Sequence, residues 1–198
     1  GGFGGGSSNA VCALRGLNRL CGEPLGFEEL FRLAAELGSD CPLFLFNGPV
    51  IIRGRGEEVE PVPSVSKGLA ARKVHLFTPG FFSSTASLFA QLARTGAYTS
   101  PDDAENGVRE VVDVLSSDGV LKGTTNDLGR LLAEKYLVFG ALFAECREEG
   151  LREFGVTGSG SGAFLLSRNG AERAKIKEIA DRFLGEDGFL IETEFRLD

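Results

Sequence analysis

The sequence predicts a mixed α and β protein, because segments with the helical spacing of apolar residues mingle throughout with segments that read as strands. Apolar residues make up 42% and charged residues 25% of the 198 residues, which is the balance of a globular protein. Glycine accounts for 28 residues, about twice its usual share of about 7%. Eight of these glycines lie in two runs with serine, at 1–8 and 157–162, which indicate functional loops.

The first part of the chain predicts two helices and then paired strands. Apolar residues at helical spacing predict helices over 8–20 and 27–37, and Gly38 is expected to end the second at its C′ position. Residues 49–63 read as short strands around a turn at 53–56.

A domain junction is expected at 64–72, where the sequence lacks periodicity and carries Gly, Ser and Lys. We therefore expect one domain at 1–66 and another at 67–198. The elements predicted in the second domain are a strand at 73–77, helices at 85–94, 105–115, 127–134 and 141–149, a strand at 163–166, a helix at 171–184 and a strand at 189–196. Whether the last strand returns to the first domain stays open.

Charge and hydropathy argue against several classes of partner. Lys plus Arg number 21 against 28 Asp plus Glu, and the net charge of −7 does not suit a protein that binds the nucleic-acid backbone. The longest apolar run, 137–144, is far shorter than the ~20 residues of a membrane-spanning helix, and we expect none of these residues to act as a signal peptide. We expect a small-molecule substrate, and neither nucleic acid nor membrane as a partner.

The cysteines and the single histidine bear on the compartment and on metal binding. The cysteines are scattered without CxxC spacing, which is typical of a reducing compartment and of buried small hydrophobes rather than metal ligands. We therefore expect a cytoplasmic protein, with a plastid-like compartment as the alternative. No metal ligand is assigned, since His75 is the only histidine and is expected to be a packed or solvated strand residue. The cysteines are Cys12, Cys21, Cys41 and Cys146.

The opening string GGFGGGSSNA is the strongest local signal. Its glycines and serines leave backbone N–H groups uncovered and run into a helix N-terminus, whose dipole favours an anion such as phosphate. It is neither a Walker A loop, because no Lys follows, nor a GxGxxG fingerprint. The alternative is a flexible linker or tag, but the direct run into an apolar-periodic helix favours an ordered loop.

Two further strings have competing interpretations. In 38–42, helix termination, a polar cap and a proline account for every residue. Alternatively Asp40 is a carboxylate near a phosphate loop, where a general base or a metal ligand would lie. The run 156–162 has three glycines alternating with hydroxyl residues, more than a hairpin turn needs, so close approach of backbone to a ligand is the better explanation.

Three strings resemble the motifs of the GHMP kinases, in the same order and over essentially the whole chain. They are GGFGGGSSNA, then GSDCPLFLFNG with GRGEEVEPV behind it, and then GVTGSGSGAFLL. The first resembles the family's second motif, with Phe3 where Leu is usual, and the second resembles the segment of the catalytic Asp. Residues 125–128 and 85–89 resemble segments of those family members that act on a cytidine-diphosphate derivative of methylerythritol in the non-mevalonate isoprenoid pathway.

The resemblance implies an α+β kinase with a nucleotide-binding N-terminal half, a ferredoxin-like C-terminal half, and ATP and Mg²⁺ as cofactors. Asp40 would accept or orient the proton of the attacking hydroxyl, and Ser7 or Ser8 would reach Mg²⁺ or a phosphate oxygen. Phe89 suits a nucleobase face and equally a helix core, whereas Asn126 is interpreted, with the Asp that follows it, as an ordinary helix cap. The residues implied to bind ATP are Gly1, Gly2, Phe3, Gly4, Gly5, Gly6, Ser7 and Ser8. Those implied to bind the acceptor are Thr85, Phe89, Gly158, Ser159, Gly160 and Ser161.

The family's first motif, a Lys-[Ile/Val/Leu]-Asn segment whose Lys pairs with the catalytic Asp, has no counterpart in this sequence. The sequence opens on Gly1 and contains no Met, so we expect it to begin inside the phosphate-binding loop and to lack that Lys. Two alternatives stay open. One is a sister kinase acting on homoserine, mevalonate or a sugar, against which the GRGEEVEP and NDL strings weigh; the other is a non-catalytic nucleotide-binding fragment.

Overall fold

A computed structural model of the chain describes residues 2–62, 65, 67–121 and 126–195. These residues form a mixture of helices and antiparallel strands, which confirms the predicted class. The chain divides into a smaller unit, Gly4–Pro63, and a larger unit, Ser64–Phe195, which also includes Phe3 and the residues before it.

The smaller unit packs two helices on a short 3-10 turn and adds a hairpin. Its apolar core is small, with Val11, Ala34, Cys41 and Leu45 buried. The elements are α1 (Gly5–Leu20), α2 (Phe27–Leu37), the 3-10 turn Pro42–Leu45, β1 (Val50–Arg53) and β2 (Glu58–Pro61), with β1 antiparallel to β2.

The start of α1 and the backbone conformation just after α2 differ from the sequence prediction. Helix α1 begins at Gly5 rather than at residue 8, so half of the first glycine run forms the first helical turn. Glycine's low helix propensity hides this start from a periodicity argument. Helix α2 ends before Gly38 as expected, but Gly38 has φ 170°, which is extended backbone and not the left-handed C′ conformation. The chain leaves α2 extended and turns at once, with the Cys41 N–H donating to the Gly38 carbonyl at 3.0 Å.

The larger unit has a four-stranded antiparallel sheet, whose strands lie in the spatial order β4 (Phe154–Val156), β5 (Ala163–Ser167), β3 (Lys73–Thr78) and β6 (Phe189–Glu194). Along the chain, helices lie between β3 and β4, and another helix lies between β5 and β6. This is the β-α-β-β-α-β arrangement of ferredoxin-like folds. The last strand pairs with the first strand of this sheet, Glu194 lying opposite Lys73. The elements are α3 (Lys67–Ala70), β3 (Lys73–Thr78), α4 (Thr85–Thr95), α5 (Pro101–Ser116), α6 (Asp127–Lys135), α7 (Leu137–Glu148), β4 (Phe154–Val156), β5 (Ala163–Ser167), α8 (Gly170–Phe183) and β6 (Phe189–Glu194).

The core of the larger unit lies between this sheet and its helices. Its fully buried side chains come from β3, β5, α4, α6, α7 and α8, and they include Phe77, Leu88, Leu132, Phe139, Leu165 and Ile176. His75 is also fully buried in β3, where its Nε2 lies 2.9 Å from the Ser167 Oγ, so it is a packed residue. Among the described residues, no helix combines the length and apolar character needed to cross a bilayer.

A buried ion pair ties together distant segments of the larger unit. Arg72 and Glu153 are only 3% and 4% exposed, and the Arg72 Nη1 lies 2.6 Å from the Glu153 Oε1. The second carboxylate oxygen accepts from the Arg168 Nε at 3.0 Å, and the Leu121 N–H donates to the first at 2.8 Å. The Glu153 carboxylate therefore holds the chain just before residues 122–125 against the sheet.

Candidate phosphate and acceptor sites

The start of α1 depends on a glycine. Gly4 caps the helix with φ 65°, in the left-handed region that side chains disfavour. A Cβ at Gly4 would lie 2.8 Å from the Cζ of Phe44, which belongs to the 3-10 turn just after Asp40. Gly4 therefore lets the turn that follows Asp40 pack against the beginning of α1.

The first turn of α1 is open to a ligand. The first N–H groups of a helix have no acceptor within the helix, and here Gly4 offers no side-chain cap and the first turn holds no acidic residue. A Cβ built on Gly5 or Gly6 would meet nothing within 4 Å, so the space around these glycines is free. Open N–H groups at the positive end of a helix dipole form an anion site, which fits the predicted phosphate role.

Asp40 lines the same cavity as this helix start. The cavity has a volume of about 200 Å³ and is bounded on one side by Gly6, Ser7 and Ala10 of α1. Its other side is the stretch Leu37–Cys41, in which Asp40 is exposed and Cys41 is buried. The buried Cys41 anchors the stretch, and Asp40 and Ser7 both line the cavity.

A glycine in the β-hairpin supports the Asp40 stretch. Gly56 has φ 110°, and a Cβ there would overlap the Ser39 carbonyl oxygen. The β1–β2 turn can therefore pack directly on the backbone next to Asp40 only while residue 56 is glycine. The sequence predicted this glycine to lie in the turn at 53–56, but not to pack against the stretch that carries Asp40.

The second glycine run forms a tight loop in the larger unit. The Thr157 N–H donates to the Gly162 carbonyl and the Gly160 N–H to the Thr157 carbonyl, both at 2.9 Å. Gly158 and Gly160 have φ values of 53° and 77°, so both use the freedom of glycine. The buried Ser161 hydroxyl donates to the Phe81 carbonyl and is therefore occupied within the protein.

The structure brings several predicted acceptor residues together. The hydroxyl oxygens of Thr85 and Ser159 lie 2.6 Å apart, which joins the start of α4 to the loop. Phe89 lies one helical turn beyond Thr85 on α4 and is 52% exposed. The interpretation of Phe89 as a core residue is therefore wrong, and its ring is accessible.

The beginning of the first glycine run lies against this loop as well. A Cβ at Gly2 would come within 2.8 Å of the Thr157 carbonyl oxygen. The ring of Phe3 covers Gly162, where a Cβ would lie 2.6 Å from its Cζ, and it also lies 6.2 Å from the ring of Phe189. Gly2 and Phe3, predicted to bind ATP, thus contact the second glycine run. Gly1 and Thr125 lie outside the described residues.

The cap of α6 has more partners than the sequence suggested. Asn126 accepts from the Gly129 N–H at 2.8 Å, as the cap interpretation expects. Burial alone would raise the pKa of Asp127, but hydrogen bonds from the hydroxyl and backbone N–H of Thr99 hold that pKa below its ordinary value, with help from Arg130. In the part of the chain that is described, no group of three or more His, Cys, Asp or Glu is placed to hold a metal ion.

Comparison with known proteins shows what this chain is similar to. Residues 1–48 match the model of the GHMP kinases N terminal domain. The chain is 35% identical over 175 residues to the 4-diphosphocytidyl-2-C-methyl-D-erythritol kinase of Thermotoga petrophila, covering 83% of this chain and 58% of that protein. It is 29% identical over 180 residues to the kinase of the same name from Persephonella marina, covering 90% of this chain and 62% of that protein. The chain thus spans about three fifths of the length of these relatives.

Solved structures share the fold. A crystal structure of 4-(cytidine 5'-diphospho)-2C-methyl-D-erythritol kinase matches 98% of this chain and 67% of its own, with a TM-score of 0.70 and 23% identity. A homoserine kinase from Cytophaga hutchinsonii matches 98% of this chain and 65% of its own, with a TM-score of 0.69 and 18% identity. The domain match, the curated relatives and the shared fold together show what this chain is similar to: residues 1–48 to the GHMP kinases N terminal domain, most of the chain to curated kinases, and its fold to that of solved kinases.

Proposed function

We propose that the protein is an ATP-dependent kinase that phosphorylates the 2-hydroxyl of 4-diphosphocytidyl-2-C-methyl-D-erythritol in non-mevalonate isoprenoid precursor biosynthesis. The observation that carries the proposal is the cavity that the open N-terminus of α1 shares with Asp40. The curated relatives of that name support the acceptor, at up to 35% identity over most of this chain. The division into domains at 1–66 and 67–198 is part of the same proposal.

The start of α1 would hold the ATP phosphates. The backbone N–H groups of Gly5, Gly6 and Ser7 are the donors, and the empty space around the two glycines leaves room for phosphate oxygens. ATP supplies the γ-phosphoryl group, and Mg²⁺ bound to its phosphates neutralises their charge. The hydroxyl of Ser7 or Ser8 would contact the ion or a phosphate oxygen.

Asp40 would act on the acceptor hydroxyl. Asp40 is exposed and lines the same cavity as Ser7, within the same unit as the phosphate donors. As the hydroxyl oxygen forms its bond to the γ-phosphorus, the hydroxyl proton passes to or is oriented by Asp40, and the bond to the leaving ADP breaks. Phosphoryl transfer depends mainly on such positioning and charge stabilisation.

The larger unit would bind the acceptor. The joined hydroxyls of Thr85 and Ser159, with the backbone of Gly158 and Gly160, offer polar groups, and the accessible ring of Phe89 offers a flat surface to cytosine. The Ser161 hydroxyl already donates to Phe81, so its contribution to this site would be to hold the loop.

A second candidate is a sister GHMP kinase that acts on another alcohol. The TM-score of 0.69 for a homoserine kinase, and of 0.64 for a mevalonate kinase from L. major, are close to the 0.70 of the first neighbour, so the fold does not select the acceptor. For the compartment, we propose the cytoplasm, where the exposed thiols of Cys12 and Cys21 stay reduced.

The test is ADP release by the full-length protein, measured by a coupled assay with ATP and Mg²⁺. We expect turnover with 4-diphosphocytidyl-2-C-methyl-D-erythritol and much less with homoserine or mevalonate. Preference for either of the latter would establish the second candidate. ATP binding without turnover of any of the three acceptors would contradict the kinase proposal and favour a nucleotide-binding role.

A further inference from the structure

The side-chain amide of Asn126 makes hydrogen bonds in two directions. Its Oδ1 accepts from the Gly129 N–H at 2.8 Å and so caps α6. Its Nδ2 donates to the Val156 carbonyl at 3.0 Å and to the Gly158 carbonyl at 2.9 Å. The orientation of the amide is fixed by these partners, because a flipped amide would set its oxygen against two carbonyl oxygens.

The two carbonyls lie at the start of the second glycine run. Val156 is the last residue of β4, and Gly158 comes two residues later with φ 53°. Ser159, whose hydroxyl contacts Thr85, follows directly. Glycine-rich backbone loses much conformational freedom on ordering, so contacts that hold it have a large effect on its geometry.

Close packing of α6 makes this reach possible. Gly129 is buried, and a Cβ there would lie 3.0 Å from both the Val156 Cβ and the Asn126 Cγ. Glycine at 129 therefore allows the start of α6 to approach β4 closely enough for a short amide side chain to span the gap. The same helical turn holds the chain after α4, through Asp127 and Thr99.

We propose that Asn126 is a positioning residue, which sets the geometry of the loop 157–162 for the acceptor. The proposal rests on the proposed function, in that this loop lines the acceptor side. Asn126 does not touch the reacting atoms; it acts through the carbonyls of Val156 and Gly158. Its role as a helix cap and its role as a loop clamp use different atoms, so the two can be separated.

Asn126→Asp and Asn126→Ser make this separation. Both replacements keep an oxygen that can cap α6, and both lose the Nδ2 donor. Ser adds no charge, so agreement between the two variants assigns the effect to the lost donor. Asn169 provides the matched control: it caps α8 by accepting from the Glu172 N–H at 3.0 Å, away from the loop, so Asn169→Asp is the same change without a clamp.

We expect Asn126→Ser in the full-length protein to keep the melting temperature within about 2 °C of the unaltered protein, because it retains a cap oxygen. Asn126→Asp sets a carboxylate oxygen against the two carbonyls and is expected to melt lower. The KM of both variants for 4-diphosphocytidyl-2-C-methyl-D-erythritol should rise about tenfold, which corresponds to about 1.4 kcal/mol, while KM for ATP stays unchanged. Asn169→Asp should change neither KM. An acceptor KM within twofold of the unaltered protein in both Asn126 variants would overturn the proposal, as would an equal rise in KM for ATP.

Amide hydrogen exchange gives a second measurement that needs no turnover. Faster exchange over 157–162 in both Asn126 variants, and not in Asn169→Asp, is the expected result. Unchanged exchange there would refute the clamp. If the unaltered protein turns over no acceptor, the proposed function fails, and the exchange result alone then decides whether Asn126 orders the loop.

Discussion

Replacement of Glu153 by Gln tests the buried ion pair of the larger unit. The change keeps the size of the side chain but removes the charge that faces Arg72 across 2.6 Å, at a site where both side chains are at most 4% exposed. It also sets an amide NH₂ against the Arg168 Nε or the Leu121 N–H, both of which donate to the carboxylate. Removal of one partner from a buried pair costs about 3–5 kcal/mol, because the other charge stays buried and uncompensated.

Thermal unfolding followed by circular dichroism measures this loss. For a chain of this length, about 3–5 kcal/mol lowers the melting temperature by about 10 °C. The control is Glu149→Gln, which breaks an exposed pair with Lys175 (2.9 Å) and is expected to leave the melting temperature essentially unchanged. A Glu153→Gln protein that melts within about 2 °C of the unaltered one would refute the reasoning that this pair is desolvated.

Three further predictions concern the site and the single histidine. Asp40→Ala should lower kcat at least about a hundredfold and leave ATP binding measured by calorimetry intact; retained turnover would remove Asp40 from the mechanism. Gly4→Ala should lower the free energy of unfolding by about 1–3 kcal/mol and weaken ATP binding, because Gly4 has φ 65° and a Cβ there would meet Phe44. Gly16→Ala, in the open interior of α1, should instead raise the free energy of unfolding by about 0.5–1 kcal/mol, and equal effects of the two changes would contradict the cap assignment. Burial holds the pKa of His75 below its ordinary 6.5, so the unfolded chain binds a proton at a pH at which the folded chain does not, and the free energy of unfolding should fall as the pH drops below about 6.5. A His75→Gln protein whose free energy of unfolding changes equally between pH 7 and 5 would contradict this.

Local patterns of apolar periodicity predicted α4 to α8 to within four residues at each end, but not the four-residue helix α3. They missed β4, which has three residues and is too short for alternation to show. They also missed the Glu153 pair, since two charged residues 81 positions apart look like ordinary surface charges until the fold brings them together.

For the candidate sites, the glycine runs predicted which segments to consider but not which contacts each residue makes within the fold. Asp40 and the start of α1 line one cavity, and two close approaches lie beside it: the Phe44 ring against Gly4 and the Ser39 backbone against Gly56. No local pattern of side chains reveals either approach. Asn126 is a similar case. Its cap is a local motif that sequence reasoning identified, whereas its contact with Gly158 spans 32 positions and depends on the fold.

The approach of Gly56 to Ser39 has a practical consequence for anyone who wants to label this protein. The turn between β1 and β2 looks like an ordinary hairpin tip, the usual place to insert an epitope tag or attach a dye. Because the backbone at Gly56 packs on the backbone of Ser39, next to Asp40, an insertion in this turn would displace Asp40 as well. The connection between α1 and α2, at Gly22 with open space around it, is the better position for a tag in this unit.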